Sequence, residues 1–180
     1  MPLKNTLYRK SKQMKDISKY NKRRQSIFYL TIILLLTLWI PVCIDKVVNF
    51  AQFKAGILRQ PFSDNLGYVL VYILPALEII TVTALIIDRF RKVGLILSIV
   101  LMTVFTGYIG IALLGAWDKL PCGCGSVIKG MTWTQHFFFN LFFLALSALG
   151  LYLWHKLRGS NMGRDATEGG SAKRHIENIV

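Results

Sequence analysis

The sequence predicts an all-α integral membrane protein: a four-helix bundle with both termini in the cytoplasm and an amphipathic outer segment between helices one and two. Three observations predict it. Apolar residues make up 53% of the 180-residue chain against 17% charged, and they gather into four long runs instead of scattering through a soluble core. The runs (26–44, 66–87, 93–117 and 136–154) hold about 19 to 25 residues each, enough for a helix to cross a hydrocarbon layer about 30 Å thick. None alternates in polarity as a spanning strand would. Finally, the basic residues are lopsided. Nine Lys or Arg precede the first run, three lie in the 88–92 turn and five follow Trp154, whereas three separate runs one and two and two separate runs three and four. The positive-inside rule puts the richer side in the cytoplasm.

The same clustering explains the net charge of +13 without a nucleic acid. Residues 1–25 form a basic cytoplasmic lead in which Leu7, Tyr8, Met14 and Ile17 interrupt the lysines, the composition of a topology anchor on anionic lipid. The first run lacks a small-x-small cleavage site and reads as retained. It closes in Trp39-Ile40-Pro41, which predicts a kink near its outer end. In the outer connection 45–65, Val47, Val48, Phe50, Phe53, Ile57 and Leu58 make an approximate helical stripe with Lys46, Lys54 and Arg59 off it. Such a helix either lies on the interface or packs across the bundle mouth. Helix two carries Pro75 and Glu78, and residues 88–92 make a tight cytoplasmic turn. Helix three holds Gly94, Gly107, Gly110 and Gly115, with Thr103 four before Gly107, a spacing that permits close helix approach. After the outer loop 118–131, Thr132-Trp133-Thr134-Gln135 reads as a capping box opening helix four. Trp117, Trp133 and Trp154 fall near span ends, where aromatic rings settle at headgroup level. The transmembrane domain is therefore 26–155, and the polar, Gly-rich 156–180 is expected to be a flexible cytoplasmic tail.

Chemistry concentrates in the outer loop. Cys122 and Cys124, separated by Gly123, are close enough to pair, and a ring that small is strained, which makes the disulfide a labile oxidant. A crosslink spanning one residue removes little chain entropy, so stability is a weak reason for it. Two other readings stand beside redox exchange: a structural staple, and a metal site completed by His136. Cys43, placed by the topology at the outer end of helix one, would be a resolving thiol or a packing residue. Glu78 lies about twelve residues, or about 18 Å, inside helix two, and Tyr108 on helix three comes near the same depth. A carboxyl there is protonated, paired or wetted. Glu78 serves either a proton relay or, with Tyr108, a quinone pocket; the alternative is a neutral interhelical hydrogen bond worth about 1 kcal/mol.

Pro75-x-x-Glu78 in helix two, Pro121-Cys-Gly-Cys-Gly125 and the passage from Ser126 to Asn140 together resemble the MauE branch of the DoxX-like membrane proteins, over roughly residues 44–154. The resemblance implies a four-helix bundle with a role in periplasmic disulfide formation or electron transfer beside a thioredoxin-like partner. DoxX-type relatives are associated with quinone-linked sulfur oxidation, which implies quinone as the cofactor. The expectation is a membrane component of a thiol–disulfide relay in the bacterial inner membrane, acting, if catalytic, as a thiol–disulfide oxidoreductase. Two alternatives belong to other classes: an assembly or anchor subunit of a larger membrane complex, and a quinone-linked sulfur oxidoreductase subunit.

Overall fold

The computed structural model describes the backbone of residues 2–61, 63–115 and 132–177, and the side chains of 19–61, 63–115 and 132–159. The elements in order are α1 Pro2–Val48, α2 Phe50–Leu58, α3 Asp64–Ile86, a 3-10 turn Asp88–Phe90, α4 Arg91–Leu113 and α5 Trp133–Glu177. No strand occurs among the described residues. Four stretches are long and apolar enough to cross a membrane: Lys19–Val48, Asp64–Ile86, Asp88–Leu113 and Trp133–Gly159. The chain is a multi-pass membrane protein.

Two helix boundaries differ from the apolar runs. α1 passes through Pro41 and continues to Val48, because a proline removes one helical hydrogen bond without ending a helix that packing holds on both sides. α5 continues past Trp154 to Glu177, so the segment expected to be flexible carries helical backbone. No proline interrupts it, and a nucleated helix gains one hydrogen bond for each residue added.

The chain divides into two compact units, Thr31–Leu151 and the terminal pieces Met1–Leu30 with Tyr152–Val180. Within the terminal unit one arrangement recurs. Arg24 lies over the Tyr20 ring at 4.1 Å, Lys156 over Tyr152 at 5.6 Å and Arg158 over Trp154 at 5.1 Å, each cation four residues after its aromatic partner. Helical side chains lean toward the N-terminus, which lays the basic group on the ring one turn back.

Within Thr31–Leu151 the pairing is antiparallel. As position climbs along α1 and α2 from Lys46 to Phe50 to Leu58, the partner on α3 falls from Glu78 to Tyr72 to Gly67. α2 thus runs beside the first half of α3. It buries Gly56 together with Phe53 and Ile57 of the predicted stripe, while Val47 and Val48 are exposed. At the far end α3 and α4 approach so closely that a Cβ on Gly94 would lie 2.8 Å from the Leu85 nitrogen. α4 and α5 pair through Gly110 with Phe137, Ser98 with Ser147 and Leu95 with Gly150. One end of the unit therefore holds α2, the end of α4 and the start of α5, and is called the α2 end below. Ile33, Val69, Ile80, Val100 and Val104 point outward, an apolar surface that lipid covers.

Polar groups tie the interior. The fully buried Trp39 donates its indole N–H to Ser98 Oγ at 2.9 Å. Ser98 and Ser147 hydroxyls are 2.8 Å apart, and Ser147 donates to the Phe143 carbonyl at 2.8 Å. Since Ser147 has one proton and spends it on that carbonyl, Ser98 must be the donor between the two serines. At the start of α5 the capping box forms as predicted. Gln135 N–H reaches Thr132 Oγ at 3.3 Å, and Thr132 N–H reaches Gln135 Oε1 at 2.9 Å.

Candidate functional site

The most chemically charged place among the described residues is inside the bundle. Lys46, near the end of α1, donates from Nζ to Glu78 Oε1 on α3, with 8% and 0% of the two side chains exposed. The ammonium also lies 5.3 Å from the ring centroids of Phe53 on α2 and Phe105 on α4. A carboxylate and two ring faces are what an ammonium removed from water requires, so three elements replace its hydration. Phe105 stands eight residues before Leu113, which puts the pair about 12 Å below the α4 end.

The pair is incompletely satisfied. Glu78 Oε2 has no hydrogen-bond partner among the described residues, and neither has Thr106 Oγ, on the residue after Phe105. A buried carboxylate oxygen left without a donor is costly, commonly 1–3 kcal/mol or more for a charged group by order of magnitude. It is an acceptor that a donor-bearing molecule would complete.

Above the pair the chain breaks for one residue. Asn49 leaves the helical conformation (φ −101°, ψ 35°), yet its N–H still reaches the Asp45 carbonyl at 2.8 Å and its carbonyl accepts from Phe53 at 3.0 Å. Its side chain donates to Asp45 Oδ1 at 2.7 Å. Beyond α2, the buried Gln60 accepts from the Tyr108 hydroxyl on α4, and its own amide donates to the Gly56 carbonyl at 3.2 Å.

Each residue singled out in the sequence has a place in this picture. Glu78 is fully buried, on a partner that sequence reasoning left on the solvent side of an amphipathic stripe. Tyr108 donates to Gln60, while Glu78 accepts from Lys46. Cys43 is a free, half-buried thiol one helical turn before Lys46. Because α1 runs on to Val48, the thiol lies within the helix rather than at its last residue. His136 is half-buried in the first turn of α5, and Asn140, one turn on, is buried. No group of three potential metal ligands occurs among the described residues. Cys122, Cys124 and Trp117 lie outside the described residues. Lys46 is the residue that sequence reasoning missed. The available signal was a lysine flanked by Ile44, Val47 and Val48, in a segment that a helix passing through Pro41 would keep inside the bundle.

The profile of the family described as methylamine utilisation protein MauE matches residues 24–153. No curated protein and no solved structure matches the chain.

Proposed function

The chain belongs to the MauE family, a membrane protein family linked to methylamine utilisation, and from that premise we propose that it is a membrane component of a thiol–disulfide relay. In this reading Cys122 and Cys124 exchange disulfides with a thioredoxin-like protein on the non-cytoplasmic side of a bacterial inner membrane. One observation carries it: the segment holding both cysteines is tethered between Gly115 and Thr132, at the α2 end, the end poor in Lys and Arg. The positive-inside rule directs that end to the oxidising compartment, where a dithiol pair cycles instead of staying reduced.

In the exchange, a partner thiolate attacks one sulfur of the Cys122–Cys124 bond. That bond breaks, a mixed disulfide forms, and the second partner thiol displaces it. Two electrons and two protons pass to Cys122 and Cys124 while the partner becomes oxidised; the reverse sequence reduces the partner. The experiment is trapping. Cys122→Ser and Cys124→Ser each leave one thiol of the pair, and one of the variants accumulates a mixed disulfide visible on non-reducing gels. If neither does, and cells lacking both cysteines keep normal disulfides in exported proteins, the relay is wrong. Cys43→Ser supplies the third arm: if Cys43 is the resolving thiol, the trapped species outlives its wild-type counterpart.

A further inference from the structure

We propose that α2 is a hinged lid over the Lys46–Glu78 pair, and that its opening admits water from the α2 end to the unpartnered carboxylate oxygen Glu78 Oε2. This does not depend on the thiol relay. The hinge is Asn49, whose backbone departs from helical angles for one residue at the junction of α1 and α2. The latch is at the other end of the nine-residue helix, where Tyr108 donates to Gln60 and so fastens the end of α2 to α4. Between hinge and latch, Phe53 presents its ring to the Lys46 ammonium. The lid therefore touches the group it covers.

The closed state leaves Glu78 Oε2 without a donor while nothing of Glu78 is exposed. Water supplies that donor, because a buried water persists where several polar partners converge and a carboxylate oxygen beside an ammonium offers two. α2 is also the element most easily moved. It is short and buries one face only, whereas α3, α4 and α5 are held by Gly94, by the serine pair and by long apolar faces.

A water-soluble carbodiimide reports the opening directly. It activates the Glu78 carboxyl as an O-acylisourea, which the Lys46 amine attacks, leaving an amide crosslink and a urea. The measurement is the rate of the Lys46–Glu78 crosslink, read by peptide mass spectrometry on full-length protein in liposomes. Tyr108→Phe and Gln60→Ala each remove the latch and raise the rate about tenfold, the population change that one lost hydrogen bond produces. In a chain whose Cys43, Cys122 and Cys124 are serine, a Leu58→Cys/Gly67→Cys disulfide pins α2 to α3 at a point where the backbones nearly touch. Oxidation lowers the crosslinking rate at least tenfold, and reductant restores it. Equal rates in pinned and released protein overturn the lid. So does a crosslink that only a lipid-soluble carbodiimide produces, at a rate indifferent to the pin, since access would then be lateral from lipid.

Discussion

Consider Lys46→Met. The substitution keeps most of the side-chain volume and removes the cation, leaving Glu78 fully buried beside two phenyl rings. Removing one partner of a buried ion pair costs about 3–5 kcal/mol, because the remaining charge is uncompensated. The expected loss is thus about 3 kcal/mol or more. The double variant Lys46→Met/Glu78→Leu removes both charges and returns to within about 1 kcal/mol of wild type, or above it. Reversible unfolding in bicelles, by steric trapping, measures all three. A Lys46→Met loss below 1 kcal/mol, or a double variant as weak as the single, would each refute the buried ion pair.

Three further outcomes test the packing. Gly94→Ala forces a Cβ to within 2.8 Å of the Leu85 backbone nitrogen, whereas at Gly150 the nearest atom is the Cδ2 of Leu95, which can turn away. In the same unfolding assay Gly94→Ala destabilises by about 2 kcal/mol or more and Gly150→Ala by clearly less. Ser98→Ala leaves the buried Trp39 N–H without its acceptor and costs about 1–2 kcal/mol; adding Trp39→Phe costs less than the sum of the two single changes. Thr132→Ala removes the Oγ acceptor of Gln135 N–H and costs about 1 kcal/mol, seen as earlier hydrogen exchange in the first turn of α5.

The spans and their number were legible because a bilayer admits so few backbone solutions that four apolar runs dictate four helices. The capping box at Thr132 was legible for a similar reason: it is local, set by residues three apart. Long-range pairings were not. Glu78 announced itself as a carboxyl in an apolar run, but its partner is 32 residues away, off the apolar stripe of an amphipathic connection. Pro41 predicts a kink near the outer end of a run that closes at residue 44, whereas α1 passes through it to Val48 and so carries Lys46 in the same helix. Ser98 and Ser147 passed unremarked, since small hydroxyls in apolar helices signal nothing until three helices bring them together.

That run of donors also constrains motion. Each hydroxyl proton is already committed, from indole to serine to serine to carbonyl, so α1, α4 and α5 cannot twist past one another without stranding a polar atom in oil. Three staves are keyed to a common azimuth. Any movement within this bundle must then be performed by slippage elsewhere, and a fluorescence lifetime of Trp39 that holds steady meanwhile would be its mark.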